Sequence, residues 1–323
     1  MAKTKIKRVV KKKPVKKAKT NGQAKPIDNG LNGQVNLTGH IAVQKTYKLY
    51  IGGKFPRTES GRYYKLMDKK QKLIANVCRG SRKDFRNAVV DARKAFGGWA
   101  GRSAYNRGQI LYRIAEMLEG RKAQFIAELQ TTGATAANVE KEVNTTIDRL
   151  VYYAGWSDKY QQIFSAVNPV ASSHFNFSVQ EAMGVIAVFA PEEHGLLGLV
   201  SSIIPVICGG NTCIVLASNT HPTCAISFAE VLNSSDVPGG VINILTGLRS
   251  ELAGHFSTHM DVNAFVYCGN DKEEIKTIQK NATNNLKRVI LYKDKKWLTE
   301  EGQSPYFILD TQEVKTTWHP IGQ

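Results

Sequence analysis

From Met1 to Ile27 there is no acidic residue, and no aromatic is interleaved among the lysines of that stretch. Those 27 residues hold 11 of the 44 Lys and Arg, so the formal net charge of +17 is concentrated there. The remaining 33 basic and 27 acidic residues leave only +6. Without aromatics, base stacking on nucleic acid is not supported. Contact of Lys3–Lys25 with nucleic acid or an acidic surface would be non-specific and salt-sensitive. The plainer reading is a solvated tether. The chain also lacks a long apolar run: Leu196–Cys208 contains two serines and a proline and falls short of the roughly 20 residues that span a bilayer. The N-terminus has no apolar core for a signal peptide and is Lys-rich where a transit peptide favours Arg and Ser. No C-x-x-C pair occurs, and five cysteines are an odd number at irregular spacing. Reduced thiols and a cytoplasmic location are expected. Cys208 and Cys213, inside apolar runs, read as small buried hydrophobes.

What is present suggests three zones. Residues 1–45 are low in complexity and are expected to be disordered, because such a composition buries too little apolar surface to offset its ordering entropy. Residues 46–323 read as one folded unit. "YKLYIGGKF" carries a short hairpin signal at a Gly-Gly turn. Ser81 and Asp84 form a capping box before a helix whose inner face is Phe85, Ala88, Val89, Ala92, Ala95 and Phe96, ended by Gly97 and Gly98. One helix is expected through 107–133 and another through 138–162. After Asn168 the period changes: "FNFSVQ" alternates, and "GVIAVFA" is a continuous apolar strand of the doubly buried kind. Strands at 185–190, 213–217, 241–245, 263–267 and 288–292 then alternate with helical stretches. The fold class is therefore α/β, an open, mostly parallel sheet with an N-terminal helical layer.

The segments "YIGGKF", "DARKAFGGWA", "RGQILYRIAEMLE", "RLVYYAGW", "GVIAVFAP", "GGNTCIVLAS" and "VPGGVINILTG" occur in an order that resembles the aldehyde dehydrogenase superfamily, from about Tyr47 to Tyr292. The resemblance implies a Rossmann-type sheet for NAD or NADP and a bridging β-hairpin, here 163–183, that pairs with another subunit. It also implies a cysteine nucleophile in a second domain, a general-base glutamate and an oxyanion-stabilising asparagine.

Position by position, the chemistry departs from that pattern. The family's Pro-Trp-Asn reads Pro191-Glu192-Glu193, which puts a carboxylate, Glu193, where a developing alkoxide needs a donor. Its Lys-Pro-Ser/Ala-Glu reads Leu216-Ala217-Ser218-Asn219. Leu216 cannot hydrogen-bond a ribose, although Asn219 retains a polar group. Phe-Thr-Gly-Ser reads Phe265-Val266-Tyr267-Cys268, with the Tyr267 ring where glycine lets a pyrophosphate approach. Leu-Glu-Leu-Gly-Gly-Lys reads Leu291 to Lys296, so the base position is Tyr292. A fragment like the family's next segment follows only at "GQSPYFILD", which implies an insertion. Glu300 or Glu301 is a weak candidate to return a carboxylate to the site.

No cysteine matches the nucleophile, and the catalytic domain is expected to be absent. No catalytic residue and no bound cofactor are therefore expected. Glu192, Glu193 and His194, with His174 or His221, would make a metal site only by straining one loop, so no metal is expected either. The reading is a non-catalytic structural or regulatory subunit, pairing with a full-length relative or with itself. The alternatives are an NAD(P)-dependent dehydrogenase completed by a partner's thiol, and a basic-tailed nucleic-acid-associated protein.

Overall fold

The computed structural model describes residues 45–322 apart from Lys69; the tail reading for 1–45, including Lys3–Lys25, lies almost wholly outside the described residues. The first regular pairing is the antiparallel hairpin β1 (Tyr63–Met67) with β2 (Leu73–Cys78), which sequence reasoning did not anticipate. Helices α1 (Arg82–Ala100), α2 (Ala104–Glu119), α3 (Lys122–Gln130), α4 (Ala136–Trp156) and α5 (Tyr160–Phe164) follow.

The capping box forms as expected: Asp84 N donates to Ser81 Oγ while Asp84 Oδ2 accepts from Ser81 N. Gly97 and Gly98 do not stop α1. Trp99 beyond them is buried, its indole donating to Ile207 O at 2.9 Å, so tertiary packing carries the helix over two poor helix formers to Gly101. The expected helix over 107–133 is two, broken where Gly120 caps α2 and Arg121 opens α3. The expected helix over 138–162 likewise breaks after Trp156, where the Ser157 hydroxyl turns back to Tyr153 O.

Strands β3 (Ala166–Asn168) and β4 (His174–Ala182) lead into β5 (Val185–Phe189), α6 (Leu197–Cys208), β6 (Thr212–Leu216), α7 (Pro222–Asn233), β7 (Ile242–Leu245), α8 (Arg249–Thr258), β8 (Ala264–Tyr267), α9 (Lys272–Ala282), β9 (Arg288–Leu291), α10 (Tyr306–Leu309) and β10 (Gln312–Pro320). The five-stranded sheet is wholly parallel, in the order β7-β6-β5-β8-β9. Alternation distributes its residues to two cores. Ile186 and Val188 pack with α2, α4, α6 and α7, whereas Val185, Ala187 and Phe189 pack with α1, α8 and α9. Because the chain winds outward from β5 in both directions, the crevice for a ligand lies beyond the C-terminal ends of β5 and β8.

The segment expected to form a bridging hairpin, 163–183, carries a third strand. β4 is the middle strand of β10-β4-β3: β10 pairs along its whole length from Gln312↔Ala182 to Pro320↔His174, whereas β3 pairs only with Asn176–Ser178 on the other side. The outer strand is β10, and Val314 and Trp318 on it are exposed.

One buried charge bears on stability. Lys287, 5% exposed, donates from Nζ to His259 O at 2.8 Å, and burial pushes its ammonium down from 10.5 to about 8. A depressed lysine weakens the fold while both states are protonated, below pH 8. The penalty disappears as pH climbs from 8 towards 10.5, where the folded chain releases its proton first. His259 O also accepts from Val262 N, so losing Lys287 leaves no orphaned carbonyl. Lys287→Met is expected to gain about 2 kcal/mol at pH 7 and to flatten the alkaline rise, as read by urea titration at several pH values.

Candidate functional site

A cleft of about 1160 Å³ opens at the switch point. One wall is the loop after β5, Pro191–His194; a second is α8 with Arg249; a third is the end of β8 and the first turns of α9; the last is the segment from Tyr292 to Thr299. Its side chains are largely occupied with one another. Glu192 Oε2 accepts from Ser218 Oγ at 2.8 Å, Asn219 N at 2.9 Å and Thr220 N at 3.3 Å, while Oε1 lies 3.3 Å from Arg249 Nε. Arg249 also donates to Ala190 O, and its guanidinium lies 5.6 Å and 5.8 Å from the Phe189 and Tyr267 ring centres. The amides after β6, oriented for an anion, are therefore filled by this chain's own carboxylate.

The start of α9 is treated similarly. Asp271 accepts from Glu273 N at 2.9 Å and Glu274 N at 3.0 Å, and Glu273 and Glu274 add negative charge in the same turn. Tyr267 donates its hydroxyl to Glu274 Oε2 at 2.5 Å; burial first, and then this carboxylate, push its ionisation upward. The Tyr267 ring so fixed packs against Gly269 and faces the cleft.

His194 carries a left-handed backbone, φ +52°, and places Nδ1 3.4 Å from Glu142 Oε2. Glu142, projecting from α4, accepts from Leu196 N at 3.1 Å and Leu197 N at 3.3 Å on its other oxygen. It is buried, and it supplies the cap that α6 lacks in its own sequence. Sequence reasoning missed Glu142, since one acid among the five charged residues of "EKEVNTTIDR" gives no signal until α4 and α6 meet.

The aldehyde dehydrogenase family profile matches residues 55–317, most of the chain. This chain belongs to the aldehyde dehydrogenase family. It is 31% identical over 260 residues to "Aldehyde dehydrogenase, cytosolic 1" of Elephantulus edwardii, covering 78% of this chain and 51% of that one. It is 28% identical over 257 residues to "Cytosolic 10-formyltetrahydrofolate dehydrogenase" of Mus musculus, covering 78% of this chain and 28% of that relative. The chain thus spans about half the length, or less, of these curated relatives. A betaine aldehyde dehydrogenase from Staphylococcus aureus, solved in complex with NAD+, superposes with TM-score 0.72 at 24% identity, over 76% of this chain and 50% of that one. At that identity the likeness bears on fold alone.

The positions picked out on the aldehyde dehydrogenase pattern fall in two groups. Pro191, Glu193, Tyr267, Cys268 and Tyr292 meet at the cleft. Leu216 does not: it is fully buried in the core with Phe189 and Leu245. Ser218 and Asn219 lie on the neighbouring loop held by Glu192. Glu193 is exposed on the cleft rim. Tyr292 is turned inward, donating to Asp310 Oδ2 at 2.7 Å, and burial and then that carboxylate hold its ionisation far up. Neither Glu300 nor Glu301 reaches the cleft, whose lining ends at Thr299. His221 and His174 do not join His194 in a metal cluster, and among the described residues no group of three His, Cys, Asp or Glu could hold an ion.

All five cysteines are buried, and burial pushes the Cys208 and Cys268 thiols up to about 12 and raises Cys213 and Cys224 too. Thiolate is the nucleophilic form, so these four are poor nucleophiles at neutral pH.

Asp271, Glu273 and Glu274 thus place three carboxylates at the start of α9, and Glu192 holds the loop amides after β6. Among the described residues, no helix is long and apolar enough to cross a membrane.

Proposed function

We infer that this aldehyde dehydrogenase family member is a structural or regulatory subunit, and that its own cleft neither binds NAD(P) nor oxidises an aldehyde. The observation that carries the reading is the self-occupation of the cleft. Two sets of backbone amides that would stabilise an anion are taken by Glu192 and Asp271, and Tyr267 is tied to Glu274 on the side where phosphate would sit. A dinucleotide would have to displace these bonds and bring its charge against Glu273 and Glu274, although Lys295 and Lys296 also line the cleft beside Arg249. Arg249 is already paired with Glu192.

The surface offered for assembly is the outer sheet. Val167, Phe175, Val314 and Trp318 are exposed on it, and the outer edge of β10 is unpaired among the described residues. Such an edge invites pairing with another chain. A full-length relative or a second copy of this chain is the partner proposed, in the cytoplasm.

Native mass spectrometry of the full chain, purified gently from its own cells, tests both halves. The expected species is this chain with an aldehyde-dehydrogenase-fold subunit and no nucleotide bound to it. A lone chain carrying NAD(H) overturns the reading in favour of a dehydrogenase. Nucleic acid that leaves at moderate salt, and fails to bind once residues 1–27 are removed, points instead to the basic tail as the functional element.

A further inference from the structure

Arg149 is a buried cation that none of the cleft chemistry uses. It projects from α4 and is 2% exposed. Its Nη1 donates to Ser201 Oγ at 2.7 Å and to Gly302 O, and its Nη2 donates to Trp297 O at 3.0 Å. Among the described residues no carboxylate forms an ion pair with it, and its Nε has no hydrogen-bond partner. Two of its hydrogen bonds go to carbonyls of one segment, 297–302, whose Glu300 also favours the cation through its charge. Burying an ion on such terms demands that those carbonyls stay in place.

The segment so held runs from Lys293 to Gln303 between β9 and α10, where the sequence carries its insertion. Lys293, Asp294, Lys296, Thr299, Glu300 and Glu301 are exposed, whereas Trp297 is buried against Tyr292, with ring centres 6.4 Å apart. Below it, the Tyr153 hydroxyl donates to Ser304 O at 3.2 Å and accepts from Ser304 N at 3.3 Å. The same segment forms the last wall of the cleft. Cys268, Tyr292 and Trp297 line that cleft and share one apolar cluster, and Cys268 is only 3% exposed despite its position there.

We propose that residues 293–303 form a strap that closes the inner end of the cleft, with Arg149 as its latch and Trp297 as its plug. The strap is covalently anchored at both ends, but between them its hold on the body is local: two guanidinium bonds to the Trp297 and Gly302 carbonyls, the paired hydrogen bonds of Asp294 with Asn270, the Lys295 ammonium over the Phe307 ring, and the packing of Trp297 and Leu298. Segments attached in this way open as a unit without global unfolding. Release of the latch withdraws Trp297 and opens the wall that covers Cys268. The inference does not depend on whether the cleft ever holds a nucleotide; it concerns what admits any ligand to its inner end.

The test is alkylation of the intact full chain by iodoacetamide, followed peptide by peptide. Cys208 on α6 and Cys213 on β6, both fully buried, report global opening. Arg149→Met keeps the apolar stem and removes the latch. Gly302→Ala attacks from the strap side, because a β-carbon there would lie 2.7 Å from the Trp297 Cα and 2.8 Å from its carbonyl oxygen. Each variant is expected to speed Cys268 alkylation at least about ten-fold while Cys208 and Cys213 keep their wild-type rates. An unchanged Cys268 rate in a folded variant overturns the proposal. So does an equal rise at all three cysteines, which would make the opening global. If Arg149→Met does not fold, Gly302→Ala decides by the same criteria.

Discussion

Gly240→Ala is expected to lower the unfolding free energy by about 3–4 kcal/mol, the larger part from collision and the rest from backbone strain. Gly240 has φ +93°, and a β-carbon on it would lie 2.5 Å from Asp91 O and 3.1 Å from the Ala95 β-carbon of α1. Neither neighbour can yield, since one is helix backbone and the other is packed beneath it. The position is tied at the same time by Asn243 Nδ2, which donates to Gly240 O at 2.8 Å, while Asn243 Oδ1 accepts from Gly52 N at 2.9 Å. The turn at Gly52–Gly53 and the approach to β7 at Gly239–Gly240 are therefore one joint. A β-carbon on Gly239 would itself stand 2.6 Å from Gly52 O. Gly61→Ala separates the two contributions: its φ is +66° but nothing lies within 4 Å of the added carbon. About 1 kcal/mol is expected there, from strain alone. Urea titration of both variants checks the difference, and equal losses would show that collision is unimportant at Gly240.

That joint explains why so much of the fold is legible in the chain. "YIGGKF" and "VPGGVINILTG" are distant in sequence but meet in space, and only glycine permits the approach, so both appear as short recognisable segments. The parallel sheet is legible for a related reason. Strands buried on both faces have no polar alternation, and the shift from helical period to unbroken runs such as Val185–Phe189 marks them. The outer strands carry no such mark. In β10, every residue from Val314 to Pro320 is exposed, and Lys315, Thr316 and Thr317 are extended because β4 pairs with them, not through any pattern of their own. β1 is mostly exposed around Lys65, and β2 does not alternate strictly between buried and exposed positions, which hides both.

The site divides similarly. The departures from the family pattern at Glu193, Leu216, Tyr267 and Tyr292 can be read because a related pattern says what each position would otherwise hold. The new contacts cannot be read that way. Arg149 and Glu142 look like ordinary helix charges, and their significance exists only where α4 meets α6 and the segment before α10. Glu192 is another case. In sequence it is one of two adjacent acids on a loop, yet it binds the loop after β6 while its neighbour Glu193 stays exposed.

Glu142→Ala is expected to cost about 3 kcal/mol, because it strips the buried amides of Leu196 and Leu197 of their acceptor and leaves His194 unpaired. The pH dependence identifies the interaction. Burial pushes the Glu142 carboxyl up, but His194 and the two amides outweigh it and hold the group below its ordinary 4.5. Its contribution is present above pH 4.5 and is lost as pH falls through the depressed folded value. His194 is raised above its ordinary 6.5, first by the hydrogen bond with Glu142, against burial, and then by the charges of Glu142 and Glu193. Its contribution is complete below pH 6.5 and fades as pH rises through the raised folded value. The two overlap between pH 4.5 and 6.5, so this site should contribute most in that interval. Glu142→Gln retains an oxygen for the helix amides but loses the charge that draws a proton to His194. It should therefore be destabilised by about 1–2 kcal/mol at pH 5.5 and by less at pH 8. NMR titration of His194 supplies the independent reading: its pKa should fall in Glu142→Gln, whereas an unshifted titration would mean that Glu142 serves only the helix and that the His194 contact is incidental.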